Sequence, residues 1–220
     1  MLDLLRLLAG AIILSIASYT DFKKRIARNE LWIVMAAIGI ILLPFSHYEW
    51  PKVVISILIT LPIAFSLFLF GMGGADAKAL IALSFLVPLF PKIGIFPLWK
   101  APVLFPFPLI IFINSLLLFL AIPFFLLFYN IAKKNAEFPY CFFGYKMKAE
   151  KARHVWSMES IVDGKRKKSI LPQKNVDIAS FGDEEIWVTP KVPFLIPLTI
   201  GYIISFLLGD VLYKIISLFT

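Results

Sequence analysis

Long apolar runs alternate with short polar connections along most of this chain. The runs are Leu2 to Tyr19, Leu31 to Phe45, Val53 to Gly71, Ala79 to Phe90, Phe107 to Tyr129 and Pro193 to Phe219. A hydrocarbon core about 30 Å thick takes roughly 20 helical residues to cross, so the pattern predicts six spanning helices. Only residues 131–192 read as an ordinary soluble sequence. The expected fold is an α-helical integral membrane protein: six transmembrane helices with a small cytoplasmic domain between helices five and six. The expected domains are a membrane domain with helices one to five over 1–130, the small domain over 131–192 and the sixth helix over 193–220. The fourth run is short, about 20 Å as a helix of roughly 13 residues, which predicts a sunken start.

Composition strengthens this picture. Sixty percent of the 220 residues are hydrophobic and 16% are charged, against about 45–50% and about 25% in soluble domains. The net charge of +8 would suit nucleic acid if spread evenly, but it is not. Lys23, Lys24, Arg25 and Arg28 crowd the first connection, while the second carries only Lys52. Basic loops stay in the cytoplasm, so the first connection, Met72 to Lys78 and Ile131 to Val192 are expected inside, with both termini outside the cell membrane. Seventeen of the 22 Lys and Arg then fall inside, and nucleic acid is not an expected partner. Arg6 ahead of an apolar stretch ending in Ala17-Ser18 also fits a cleaved signal peptide; the charges that follow favour a retained span.

Other features narrow the chemistry. Cys141 is the single cysteine, and His47 and His154 stand alone, so neither a cysteine zinc site nor a paired-histidine metal site is expected. No cofactor is expected. Six prolines between Pro88 and Pro108 preclude a continuous helix there and predict an interfacial segment with Trp99 as an anchor. The run Lys165-Arg-Lys-Lys168 reads as a solvated loop tip attracted to anionic lipid headgroups.

Acidic side chains are costly near membrane spans. Asp3, Glu30 and Glu49 fall at span ends or in loops, where solvation is easy. Asp210 lies deep in the last run, near the opposite face, where a structural role with Arg6, Lys92, Lys100 or Lys214 as partner is expected. Asp21 ends the first span and Asp76 opens the fourth, on the same side of the bilayer, so the two can meet. Gly71-Met-Gly-Gly-Ala-Asp76 supplies a backbone that a substrate strand can approach, which makes Gly73, Gly74, Ala75 and Lys78 candidate substrate contacts. Two close carboxylates cannot easily ionise together; their pKa values split, giving one base and one acid. Asp76 lies at a helix N-terminus with Lys78 nearby, and Asp21 at a helix C-terminus, so Asp76 is expected to be the base and Asp21 the proton donor.

Four segments carry a resemblance: Ser18-Tyr-Thr-Asp-Phe-Lys-Lys-Arg25, Gly73-Gly-Ala-Asp-Ala-Lys78, Phe142-Phe-Gly-Tyr-Lys-Met-Lys148 and Glu184-Glu-Ile-Trp-Val-Thr-Pro190. They resemble the membrane aspartic proteases of the G-x-G-D type, and among these the archaeal preflagellin peptidases, relatives of the type IV prepilin peptidases. Ala75 stands where that pattern has glycine; its extra methyl is tolerable if the position needs no positive φ. The resemblance implies an aspartic endopeptidase with Asp21 and Asp76 catalytic, cutting the short basic leader from preflagellin (archaellin) and pilin-like precursors. The paired Cys-x-x-Cys domain of methylating relatives is lacking, which implies cleavage without N-methylation. Asp183-Glu-Glu185 is a candidate contact for the basic leader. A cation-coupled transporter and a non-catalytic scaffold for filament assembly are the rival classes; neither would release a cleaved product.

Overall fold

The computed structural model describes residues 1–99, 105–152, 155–162, 165–173 and 176–219. His154, Lys100 and Pro102 lie outside the described residues. In chain order the elements are α1 (Leu2–Lys24), α2 (Asn29–Leu42), α3 (Trp50–Leu69), α4 (Gly74–Leu86), α5 (Phe107–Leu120), α6 (Ile122–Ala132), α7 (Tyr140–Phe143), β1 (Tyr145–Lys148), β2 (Val155–Val162), β3 (Lys165–Gln173), β4 (Glu185–Pro190), α8 (Leu195–Leu207) and α9 (Val211–Ile216). They form two compact units, one of residues 1–119 and 193–220, the other of residues 120–192.

The first unit is a helix bundle. α4 packs against both α2 and α3, and α1 packs against α8 and α2 and touches α4. Leu14, Ala17, Met35, Leu83, Leu86, Ile111, Leu198 and Tyr202 are buried together at its centre. The α2–α4 crossing depends on Gly39, where an added Cβ would stand 2.4 Å from the Phe85 carbonyl oxygen and 2.5 Å from the Leu86 backbone. Small residues of this kind let helix backbones approach within a membrane. Outward-facing side chains are themselves apolar, among them Ile33, Ile41, Leu58, Phe65 and Leu69; exposed apolar surface on this scale needs a lipid solvent.

Three stretches among the described residues are long and apolar enough to cross a membrane: Leu2–Lys24, Trp50–Leu69 and Phe107–Ala132. α2 and α8 are apolar but shorter, at 14 and 13 residues. Of the six expected spans, three are thus met by helices of full spanning length among the described residues. The last run differs most, because it is two helices. α8 ends at Leu207, and the Leu207 and Leu208 carbonyls accept 2.9 Å hydrogen bonds from the amides of Leu98 and Trp99. Asn114 holds the break open, donating to the Gly209 carbonyl at 2.8 Å and accepting from the Val211 amide at 3.2 Å. Asp210 then caps α9, accepting from the Tyr213 amide at 2.9 Å. Among the described residues its partner is this backbone amide and not Arg6, Lys92 or Lys214. The described part of the proline-rich stretch is non-helical from Val87 to Pro106.

The second unit takes in α6 and α7 and a four-stranded antiparallel sheet in the order β1-β4-β2-β3. Tyr145 pairs with Val188, Ser157 with Val188 on its other side, and Glu159 with Lys168. Ala149, Val155, Phe181, Ile186 and Val188 form one small core; Cys141, Met158 and Trp187 form a second. The Glu159 carboxylate is buried and satisfied by the Arg166 guanidinium and by the Trp187 amide at 2.9 Å. Buried charges persist only with such partners. Lys165 to Lys168 belong to strand β3 rather than to a loop tip.

Candidate active site

Asp21 lies in the last turn of α1. The helix closes directly after it, where Arg25 adopts φ 56° and its amide donates to the Asp21 carbonyl at 2.9 Å. One turn earlier the Ser18 hydroxyl bonds the Leu195 carbonyl at 2.8 Å and the Thr199 hydroxyl at 2.7 Å, which fixes the end of α1 against α8. The Asp21 side chain is half-buried, and the Arg25 charge bears on it.

Asp76 arrives from a different part of the chain. Gly71, at φ +94°, turns the backbone out of α3, and Gly73 caps α4, its carbonyl accepting from the amides of Asp76 at 3.0 Å and Ala77 at 3.1 Å. The half-buried Asp76 carboxylate curls back over this cap: a Cβ on Gly73 would lie 2.6 Å from Asp76 Oδ2. The Asp21 charge acts on the Asp76 carboxylate, so the end of α1 and the start of α4 bring the two acids into one electrostatic neighbourhood. Water trapped between two such carboxylates would face one group able to accept a proton and one able to donate it.

The other expected contacts divide. Gly73 and Gly74 precede Asp76 as the cap and first residue of α4, and the Phe68 ring lies 3.5 Å from a Cβ added at Gly74. Ala75 lies in α4 outside the positive-φ region and packs against the main core, so its methyl fits where the wider pattern has glycine. The Lys78 ammonium turns away to Asn29, donating to its Oδ1 at 2.9 Å. It supports α2 rather than standing over Asp76, and Asn29 is a partner that no sequence spacing singled out. Within the second unit, Glu184 is engaged by Arg166 at 2.6 Å, and the same guanidinium bonds the Glu185 carbonyl. Part of the acidic triplet is thus already paired.

The architecture is a bundle of apolar helices joined to a small sheet unit. Residues 8–131 match the type IV leader peptidase family, and residues 136–211 match the type II C-terminal region of archaeal A24 peptidases. The chain belongs to the type IV leader peptidase family. It is 33% identical over 218 residues to the preflagellin peptidase of Methanococcus maripaludis, covering 91% of this chain and 94% of that protein. It is 33% identical over 227 residues to the preflagellin peptidase of Methanococcus voltae, covering 94% and 96%, and 30% identical over 236 residues to that of Methanocaldococcus jannaschii, covering 98% and 97%. The chain is accordingly a membrane peptidase of this family.

Proposed function

We propose that this protein is an aspartic endopeptidase that removes the short basic leader from preflagellin, with pilin-like precursors as a second substrate group. The observation that carries the reading is the placing of Asp21 in the last turn of α1 and Asp76 in the first turn of α4, two helices that are in contact. Near-full-length similarity to preflagellin peptidases supports the substrate.

In this reading one carboxylate takes a proton from water while the water oxygen bonds to the peptide carbonyl carbon. The other, protonated, carboxyl gives its proton to the carbonyl oxygen, and the tetrahedral adduct collapses as the C–N bond breaks and the amine takes up a proton. Asp76, in the first turn of α4, sits where the helix dipole favours the anion, and Asp21, in the last turn of α1, sits where it disfavours it. Asp76 is also the more buried of the two, and burial opposes the dipole, so with Lys78 committed to Asn29 the base and acid roles are exchangeable between Asp76 and Asp21. Gly74, where an added Cβ would make only an ordinary 3.5 Å contact with the Phe68 ring, leaves an edge for the substrate backbone, while Ala75 packs into the bundle and Gly73 lies beneath the Asp76 carboxylate.

The proposal includes six membrane crossings, with α2, α4 and the α8–α9 pair completing the three longer stretches. It places the aspartates and residues 131–192 at the cytoplasmic face and both termini outside. The basic leader then lies on the same side as the aspartates, and no methyl transfer accompanies the cut. Incubating the purified full chain with a leader-bearing precursor and sequencing the product N-terminus tests the function: a new N-terminus at the start of the hydrophobic segment is expected, and intact precursor would favour a transporter or scaffold.

A further inference from the structure

Arg6, one turn into α1, is fully buried, and by helical rise it lies about 22 Å along that helix from Asp21. No step of the cleavage reading uses it. Its guanidinium donates to Asp3 Oδ1 and the Tyr48 hydroxyl, each at 3.0 Å, and to Ser46 Oγ at 2.6 Å, while its Nε has no partner among the described residues. Asp3 is consumed by this knot, accepting also from the Tyr48 hydroxyl at 3.0 Å and the Lys92 amide at 2.8 Å.

Beside the knot lies a cavity of about 520 Å³. Arg6, His47 and Lys92 line it together with Phe45, Leu89 and Phe90. The acids at its edge are already matched, Asp3 by Arg6 and Glu49 by Lys52 at 2.7 Å. The Lys92 ammonium and the His47 ring have no hydrogen-bond or ion-pair partner among the described residues, and both are exposed. The cavity therefore combines surplus positive charge with an apolar wall, at the end of a bundle whose outer surface is apolar. That combination matches an amphiphile with an anionic head.

We propose that this cavity binds the phosphate headgroup of an anionic membrane lipid. Lys92 and His47 hold the phosphate by charge-assisted hydrogen bonds, Arg6 forms the charged floor, and the lipid chain runs along Phe45, Leu89 and Phe90. The site is separate from the cleavage reading and stands or falls without it.

The test uses the full chain, delipidated in neutral detergent and titrated with phosphatidylglycerol, with phosphatidylcholine of the same chains, and with inorganic phosphate, counting retained lipid by native mass spectrometry. One tightly held phosphatidylglycerol is expected, with phosphatidylcholine at least about tenfold weaker and the double variant Lys92→Glu, His47→Ala losing at least about tenfold. Both substituted side chains are exposed, and unchanged thermal unfolding of the variant excludes misfolding as the cause. Equal retention of the two lipids, an unaffected variant, or phosphate occupying the protein without lipid retention would each overturn the proposal.

Discussion

The Asp76 carboxylate lies over the α-carbon of Gly73, close enough that a methyl group there would stand 2.6 Å from Oδ2. Gly73→Ala therefore pushes the carboxylate out of its resting position while leaving the chemistry of the residue intact. Because a displacement of about 1 Å in a reacting group costs on the order of 10²-fold in rate, leader cleavage should fall by roughly that factor. Gly74→Ala makes only an ordinary 3.5 Å contact with Phe68 and should stay within a few-fold of wild type. Comparing the two single variants on one precursor checks this.

The site was partly legible in the sequence because polarity near apolar runs is a local signal. Asp21 and Asp76 stand out against their neighbours, and the glycines before Asp76 mark the turn. The curl of Asp76 over Gly73 and the turning of Lys78 to Asn29 were not legible, since both depend on side-chain directions set by packing. The break at Gly209 was hidden for a related reason: the residues around it are as apolar as a continuous span, and the interruption is held by Asn114 and by Leu98 and Trp99, about 100 positions away. The sheet order β1-β4-β2-β3 likewise comes from pairings between distant segments.

The α2–α4 crossing makes a stability prediction. At Gly39 the nearest atoms are backbone, not a flexible side-chain tip, so Gly39→Ala can be relieved only by moving α4 as a body. Overpacking of this kind costs about 1–3 kcal/mol. Thermal or chemical unfolding of the purified variant should show that loss, and because α4 carries Asp76, cleavage should decline with it.

Arg6 and Asp3 bury 1% and 16% exposed side chains in one ion pair. Among the described residues, removing the arginine alone leaves Asp3 with the Tyr48 hydroxyl and the Lys92 amide. Breaking a buried pair in this way costs about 3–5 kcal/mol, and Arg6→Met should be destabilised on that scale. The double change Asp3→Asn, Arg6→Met leaves no charge behind and should recover part of the loss, a coupling that a double-mutant cycle on unfolding measures directly.

Glu137 predicts a pH dependence for the second unit. Its carboxyl is held below the usual glutamate range, chiefly by the Lys168 hydrogen bond, with the Trp187 indole at 3.2 Å and the Lys146 charge adding to it against partial burial. A group whose pKa is lower in the folded state stabilises the fold above its unfolded value, about 4.3 for glutamate, and loses that contribution as pH falls through the folded value. Glu137→Gln should therefore lower the unfolding temperature at pH 7, and the gap from wild type should close below about pH 4.

The central claim is that Asp21 and Asp76 act together on one water molecule, and replacing each in turn is the most direct measurement of it. Asp21→Asn, Asp76→Asn and the double variant would be compared with wild type for single-turnover cleavage of a preflagellin precursor in reconstituted membranes, with folding checked by thermal unfolding. Each single variant should lose at least about 10³-fold, and the double variant should be no worse than either single one, as expected of groups that act as a unit. Folded Asp21→Asn or Asp76→Asn protein that still releases the mature N-terminus at near wild-type rate would contradict the account.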